Sequence, residues 1–281
     1  SRSNKSGSKV LGIHTEGPFI SEHKPGAHVV SQLRVGDLLA IDEVISAADN
    51  FISMVTVAPE ISGGLEMIRY LSNKNIVSSI GHSNASYAQV VEGIKAGAKS
   101  TTHLFNAMSP LLHRDPGVVG AILENEEIFA ELILDGIHIH EAIFRIALKC
   151  KGIDRINLIT DATFLAGLSD GEYGAQPDRA VTKIGGKIVL AGTDTLAGSA
   201  LTMNMVYQNA AKFARLSQPE LSKISSLNAA KILGRESDIG SIEIGKLADL
   251  VLLNTDSEVC ATMIEGEWKY LSDEWKEALS G

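Results

Sequence analysis

The sequence of 281 residues is poor in cysteine, with two, and in aromatic side chains, which make up 5% of it. Cys150 and Cys260 lie far apart, so they do not form the framework of a disulfide-rich domain, and a reducing cytoplasm is the expected compartment. The polar first eight residues predict no signal peptide, and no apolar run has the length of a membrane-spanning helix. A net charge of −9 without a basic run argues against nucleic acid as a partner.

Short β-branched runs, by contrast, are frequent, and they alternate with helical patterns from Val10 to about Thr160. This alternation predicts an α/β protein built from β/α units around a parallel sheet. Six strands are predicted, two fewer than the eight of a closed barrel. Their predicted ranges are Val10–Thr15, Phe51–Val57, Ile76–Gly81, Ala98–Thr102, Ile128–Leu134 and Arg155–Thr160.

Two of the intervening segments have clear helical periodicity. Apolar residues from Tyr87 to Ile94 follow the i, i+3, i+4, i+7 spacing, with Asn84 as a plausible N-cap and Gly97 at the end. The same spacing recurs between residues 143 and 150, ahead of Gly152. Both segments are therefore predicted to be helices that connect consecutive strands.

The pattern changes after Asp161. Val181–Ile184 and Lys187–Leu190, joined by two glycines, predict a β-hairpin inserted near residues 180–191. Ser217 and Glu220 form a capping-box pattern that predicts the start of a helix. Short strands and turns follow from residue 240. We therefore predict a partial barrel over residues 1–239, and part of a small β-subdomain with a tail over residues 240–281.

Four of the predicted strands end beside a residue that can bind a metal ion or transfer a proton: Glu16, His82, His103 and Asp161. In a parallel β/α barrel the catalytic side chains come from the carboxyl ends of several strands, so these four are expected to share a site. Glu16, His82 and His103 supply one carboxylate and two imidazoles, which suit zinc or a similar divalent ion. One such histidine alone is more often a cap or core residue, but three ligands together favour a metal site.

Asp161 follows the last predicted barrel strand. An aspartate in this position is often only a helix cap or a turn former. Beside a metal site, it is better interpreted as a general base that accepts a proton from water and returns it to the leaving group. Asp161 is therefore the predicted catalytic residue.

Other polar groups near the strand ends could contact a substrate. His138 could polarise a carbonyl group or contact a hydroxyl, and the backbone of residues 104–108 could offer N–H groups to an anion. Arg114 is the most obvious cation for a phosphate. Its alternative role is an exposed salt bridge with Asp115 or Glu124, and composition alone favours that alternative.

Taken together, these segments resemble those of the N-acetylglucosamine-6-phosphate deacetylases, a family of the amidohydrolase superfamily. The similar segments follow the order of that family through nearly the whole chain. They comprise residues 12–19, 26–28, 81–83, 102–108, 113–117, 135–138, 160–162 and 196–199. Residues 244–249 resemble a more general amidohydrolase ending.

The resemblance implies a (β/α)8 TIM-type metal-dependent hydrolase barrel and a function in amino-sugar metabolism. The implied reaction is hydrolysis of the N-acetyl group of N-acetylglucosamine 6-phosphate to glucosamine 6-phosphate and acetate. Glu16, His82 and His103 would hold a divalent metal ion, with zinc as the first candidate and iron, cobalt, manganese or a similar ion as alternatives. Asp161 would be the acid/base.

The resemblance also implies a sugar-phosphate pocket and a homodimer, in which Arg114 reaches the phosphate in the site of the neighbouring subunit. The other substrate-binding residues that it implies are Ala27, Asn106, Ala107, Asp135, Gly136, Ile137, His138, Leu196, Ala197 and Gly198.

The chain departs from this family at its N-terminal end. Family members have a further segment before the position of Gly12, which builds the first two barrel strands and half of the β-subdomain. This difference would account for six strands instead of eight. Two other functions therefore remain open: another amidohydrolase activity, such as that of a deaminase or cyclic amidase, and a truncated form that binds a sugar phosphate without turnover.

Overall fold

The computed structural model describes residues 7–174 and 180–280. Six strands form one parallel sheet in which neighbours in sequence are neighbours in space, so the predicted α/β class is confirmed. Each strand lies within its predicted range or extends one residue beyond it. The strands are β1 (Ile13–Glu16), β2 (Ile52–Val57), β3 (Val77–Ile80), β4 (Ser100–Thr101), β5 (Phe129–Ile133) and β6 (Ile156–Ile159).

The helices between these strands cover the sheet and complete a partial barrel. They are α1 (Leu38–Ala47), α2 (Gly64–Asn73), α3 (Tyr87–Lys95), α4 (Gly117–Glu124) and α5 (Glu141–Lys151). Ile68 of α2 and Phe144 of α5 are fully buried in the same apolar cluster as Val55 and Leu132 of the strands. Burial of this apolar surface is the main force that holds the helices against the sheet. The six strands make up a partial (β/α)8 barrel, which needs two more to close.

The two predicted helices are present, but one predicted cap is wrong. The N-cap of α3 is Ser86, which forms a capping box with Gln89, and not Asn84. The backbone N–H of Asn84 instead donates to the carboxylate of Glu60, 2.6 Å away, which holds Asn84 outside the helix. Gly97, with a φ of 115°, does follow the end of α3 as predicted.

The segment after β6 contains the predicted hairpin and one more strand. β7 (Gly171–Tyr173), β8 (Val181–Ile184) and β9 (Lys187–Leu190) form an antiparallel sheet, of which β8 and β9 are the predicted pair. Leu165, Ile188 and Ala197 form a small apolar core beneath this sheet. The sheet is therefore attached to the loops that follow β6.

A helical region follows, with α6 (Met203–Ala214), α7 (Gln218–Ser222), a π-helical turn (Lys223–Leu227) and α8 (Asn228–Ile232). The predicted capping box is confirmed, because the backbone N–H and the hydroxyl of Ser217 both donate to Glu220, at 2.8 and 2.6 Å. The box satisfies backbone donors that would otherwise lack partners at the start of α7.

The C-terminal segment forms a second antiparallel sheet of β10 (Leu250–Leu253), β11 (Val259–Ile264) and β12 (Glu267–Leu271), followed by α9 (Asp273–Ser280). This sheet lies inside the segment 240–281 that the sequence assigns to a β-subdomain, and the exact boundary stays a prediction. Within the described ranges, every helix is too short or too polar to cross a membrane.

Candidate metal centre and active site

Glu16, His82 and His103 come together at the carboxyl ends of three strands. Glu16 is the last residue of β1, and the two histidines each lie two residues beyond β3 and β4. Glu16 Oε1 lies 3.0 Å from His82 Nε2 and 2.7 Å from His103 Nε2, and the two Nε2 atoms are 3.1 Å apart. The predicted ligand set therefore forms one compact cluster.

The donor atoms of this cluster fit a first-row divalent ion. Their separations are close to the spacing of ligands around a tetrahedral zinc ion, roughly 3.3 Å for bonds of about 2.0–2.1 Å. His82 Nδ1 lies 2.9 Å from the carbonyl oxygen of Lys24, to which it donates, so Nε2 carries the lone pair that faces Glu16. The ring of His28 packs edge-on against His82, with 4.7 Å between centroids, and restricts its rotation.

The pKa shifts of these residues show that the cluster favours a positive charge. Burial alone would raise the pKa of Glu16, but hydrogen bonds with His103 and His82 hold it well below its ordinary value. Burial alone would lower the pKa of His103, but Glu16 beside it raises the pKa above its ordinary value. A proton or a metal ion could supply the positive charge that the ionised Glu16 requires.

The backbone is strained at these positions. His82, His103 and Asp161 have φ angles of 47°, 35° and 50°, in the left-handed region that residues with a side chain seldom adopt. Such conformations cost about 1–3 kcal/mol each and persist only where surrounding contacts enforce them. Sharp turns at the strand ends thus point three polar side chains toward one place.

Asp161 lies two residues beyond β6, on the rim of the same site. The backbone N–H of Ser199 donates to its carbonyl oxygen at 2.8 Å, which ties the turn to the loop beneath the hairpin. Gly198, at a φ of +65°, passes so close that a Cβ there would lie 2.9 Å from the Asp161 carbonyl oxygen. Burial raises the pKa of Asp161, and the charge of Glu16 raises it further, while His103 acts in the opposite direction.

His138 follows β5 and is oriented by Asp135. Its Nδ1 lies 2.6 Å from Asp135 Oδ2, and its backbone N–H donates to Asp135 Oδ1 at 2.7 Å. Burial alone would raise the pKa of Asp135, but the hydrogen bonds with His138 lower it, so this carboxylate is ionised. With Nδ1 engaged, His138 Nε2 is the ring nitrogen available to a ligand.

A cavity of about 540 Å³ opens over these groups. Glu16, His82, His103 and Asp161 all line it, as do six of the predicted substrate-binding residues: Ala27, Asn106, Ala107, His138, Leu196 and Gly198. Five others do not line it. Asp135 orients His138, Gly136 and Ile137 are exposed beside it, Ala197 is buried under the hairpin, and Arg114 lies on the surface.

The loop after β1 contributes more of the wall than the sequence indicates. His23, Lys24, Gly26 and His28 line the cavity beside Ala27. Gly26 has a φ of +57°, and a Cβ there would lie 2.8 Å from His82 Cε1, so only glycine allows the loop to approach the His82 ring so closely. A signal existed, since this loop holds two histidines and a lysine directly after a predicted ligand.

Known proteins that are similar to this chain identify its family. The model of the amidohydrolase family matches residues 4–269. The chain belongs to this family. An N-acetylglucosamine-6-phosphate deacetylase of Bacillus subtilis (strain 168) is 40% identical over 270 residues, which are 95% of this chain and 67% of that protein. The N-acetylglucosamine-6-phosphate deacetylase of Vibrio furnissii is 37% identical over 260 residues, which are 92% of this chain and 64% of that protein.

A solved structure also resembles this amidohydrolase over most of its length. It is a variant N-acetyl-D-glucosamine-6-phosphate deacetylase from Mycobacterium smegmatis in complex with N-acetyl-D-glucosamine-6-phosphate. The two chains are 37% identical with a TM-score of 0.87, over 93% of this chain and 68% of that one. The resemblance inferred from the sequence is thereby confirmed. The chain spans about two thirds of the length of these relatives.

Proposed function

We propose that this chain hydrolyses the N-acetyl group of N-acetylglucosamine 6-phosphate to glucosamine 6-phosphate and acetate. The observation that carries the proposal is the convergence of Glu16, His82, His103 and Asp161 at one cavity. It occurs in a chain whose relatives are named as deacetylases of this amino-sugar phosphate. The place of the reaction would be amino-sugar metabolism, with the cytoplasm as the compartment predicted from cysteine usage.

Glu16, His82 and His103 would hold the divalent ion, with zinc as the first candidate and iron, cobalt or manganese as others. When bound, such an ion would act as a Lewis acid and lower the pKa of a water molecule toward neutrality. Two neighbours fix the orientation of His82: the carbonyl oxygen of Lys24 accepts from its Nδ1, and the ring of His28 packs against its ring.

Asp161 would transfer the proton. Burial and the charge of Glu16 raise its pKa above that of an ordinary aspartate, which favours proton uptake, and its ionised form would accept the proton of the attacking water. It would then return this proton to the sugar nitrogen, so that the C–N bond breaks with a neutral amine as leaving group. One carboxylate therefore serves as base and then as acid.

His138 would stabilise the oxygen on which negative charge develops. Asp135 fixes its ring through Nδ1, so that Nε2 would face the carbonyl oxygen of the acetyl group. Ala27, Asn106, Ala107, Leu196 and Gly198 would form the walls around the sugar. Asp135, Gly136, Ile137 and Ala197 do not line the cavity, and they would support the residues that do.

We assign the phosphate contact to Arg114 of a second subunit, which requires a homodimer. Among the described residues Arg114 has neither Asp115 nor Glu124 as an ion-pair partner, and Glu124 instead accepts from the hydroxyl of Tyr87. Leu111 and Leu112 on the same loop are 53% and 54% exposed. An exposed loop with an unpaired guanidinium and two leucines is suited to contact another subunit.

The test is acetate release by the purified chain loaded with Zn²⁺, with N-acetylglucosamine 6-phosphate as substrate. N-acetylglucosamine without phosphate and N-acetylgalactosamine 6-phosphate serve as comparison substrates. Faster release from the phosphorylated glucosamine derivative is expected. Ammonia release would indicate a deaminase, and release from a cyclic amide would indicate a cyclic amidase. Ligand binding without any acetate would indicate the binding form.

Arg114→Ala tests the proposed dimer separately. We expect a higher KM for the phosphorylated substrate, an unchanged rate with the unphosphorylated one, and a dimer by sedimentation for the wild type. Arg69→Ala, at an exposed position on α2, is the control. A monomeric wild type with full activity would contradict the shared site.

A further inference from the structure

Glu60 lies beside the metal cluster but outside the cavity that the cluster lines. It follows β2 by three residues, at the same edge of the sheet as Glu16, His82 and His103. Its side chain is half-buried, and within the described ranges it forms no ion pair with a lysine, arginine or histidine. The carboxylate is directed instead at the turn that carries His82.

Glu60 makes two short contacts with the residues that directly follow His82. Ser83 Oγ donates to Glu60 Oε2 at 2.7 Å, and the backbone N–H of Asn84 donates to Oε1 at 2.6 Å. Glu60 therefore holds the turn through one side-chain hydroxyl and one backbone N–H.

This turn needs external support, because His82 adopts a left-handed backbone conformation. Its neighbours provide part of the support: Ser21 N–H donates to the His82 carbonyl oxygen at 2.9 Å, and Ser83 N–H donates to the Ala107 carbonyl oxygen at 3.1 Å. These contacts come from the loops after β1 and β4. Glu60 provides the contact from the loop after β2, which lies between them in chain order.

The contact is not explained by helix capping. The N-terminus of α3 already has its own capping box, formed by Ser86 and Gln89. Asn84 lies before that box, and Ser83 is fully buried. What Glu60 fixes is the path of the chain between the metal ligand and the helix.

We infer that Glu60 is a positioning residue for the metal centre, which sets metal affinity by holding Ser83 and Asn84 and thereby aiming His82 Nε2 at Glu16. The inference rests on the metal site of the proposed function and adds to it a residue that touches neither metal ligand nor substrate. Groups that orient metal ligands in this indirect way change metal affinity by about ten- to a hundred-fold when removed.

Co²⁺ is the probe, titrated into the metal-free chain and followed by its visible absorption. Glu60→Ala should weaken Co²⁺ affinity by about ten-fold or more, and Ser83→Ala, which removes one of the two contacts, by less. Glu60→Gln should restore most of the affinity, because its amide oxygen can accept from Asn84 and its NH₂ can donate to Ser83. Glu66→Gln removes an equal charge from the exposed first turn of α2 and should change nothing.

Unchanged Co²⁺ affinity in a folded Glu60→Ala chain would overturn the inference. A Gln variant as weak as the Ala variant would also overturn it, because charge and not position would then be responsible. If Glu60→Ala does not fold, Ser83→Ala and Glu60→Gln still decide between the outcomes. A wild type that binds no Co²⁺ would refute the metal site itself, and with it the role of Glu60, whereas Co²⁺ binding without acetate release would refute only the reaction.

Discussion

Glu16 Oε1 lies 2.7 Å from His103 Nε2, although 87 residues separate the two in the chain. The same oxygen lies 3.0 Å from His82 Nε2, so one carboxylate oxygen faces two imidazoles. This arrangement places the last residue of β1 against the turns after β3 and β4. The arrangement defines where a cation would bind and which three side chains would bind it.

His103→Ala should abolish metal binding. Removal of one imidazole leaves two ligands, fewer than the three protein ligands of a catalytic zinc site. The metal content of the purified chain, measured by mass spectrometry, should fall from a single ion to a trace. His140→Ala, at the N-cap of α5 and outside the cavity, should retain the ion. Equal metal content in both variants would contradict the ligand assignment.

Asp161→Asn should lower kcat by about 10²–10⁴-fold, the usual contribution of a general acid–base. The amide has nearly the shape of the carboxylate but cannot accept and return a proton. Metal content should stay that of the wild type, because Asp161 is not among the three clustered ligands. An unchanged rate of acetate release would refute this role.

The pH dependence of kcat/KM should have an acid limb set by Asp161. The base must be ionised, so activity is lost as the pH falls through the pKa of Asp161. Because burial and the charge of Glu16 raise that pKa, the limb should lie above 3.8, the ordinary value of an aspartate. Initial rates measured from about pH 3 to pH 8 locate it. A limb at or below the ordinary value would contradict the burial argument.

Glu131→Gln should stabilise the metal-free chain at alkaline pH. Burial raises the pKa of Glu131 from 4.5 to about 7, so the folded state binds its proton more tightly than the unfolded state. Stability from this group is therefore present below pH 4.5 and lost as the pH rises through 7. The difference amounts to about 3 kcal/mol at full ionisation.

Urea unfolding of wild type and variant at about pH 5 and pH 8.5, both in chelator, measures this effect. The free energy of unfolding of Glu131→Gln, relative to that of the wild type, should be higher at the alkaline pH than at the acid pH. Glu127→Gln, at an exposed position before β5, is the control. Parallel behaviour of Glu131→Gln and wild type would show that Glu131 is ionised as easily in the fold as outside it.

Gly198→Ala should lower kcat with the metal content unchanged. The added Cβ would lie 2.6 Å from Thr163 Cγ2 and 2.9 Å from the Asp161 carbonyl oxygen, so the turn that carries Asp161 must shift. Gly192→Ala is a matched control, because Gly192 also has a positive φ but nothing within 4 Å of the added atom. Similar rates in the two variants would show that strain, and not the displacement of Asp161, is responsible.

Local patterns explain which parts of the fold were predictable. The six strands, the hairpin from Val181 to Leu190 and the capping box at Ser217 each depend on a few consecutive residues, and all three predictions are confirmed. The clustering of Glu16, His82 and His103 was predictable because parallel strands bring their carboxyl ends to one edge, whereas their role as metal ligands stays a prediction. Glu60 is, like Glu16, a carboxylate near the carboxyl end of a parallel strand. It was not predicted because the group that it contacts, the backbone N–H of Asn84, follows a different strand, β3.

The remaining errors come from competition between distant groups. Asn84 is a good N-cap by residue type, yet a carboxylate 24 residues earlier binds its backbone N–H. The residue types of the loop after β1 indicate polar groups near the site, but the wall formed by Lys24 and Gly26 depends on how that loop folds over His82, which residue types alone do not specify. The contact of Arg114 stays a prediction, since it depends on a second chain.

The three clustered residues belong to strands that lie far apart in the chain. Glu16 ends β1, whereas His82 and His103 follow β3 and β4. An ion bound by all three would act as a cross-link between these strands, closing long chain loops as a disulfide does. Release of the ion and local opening of the strand ends would then be one event, visible as metal-dependent amide protection of β1.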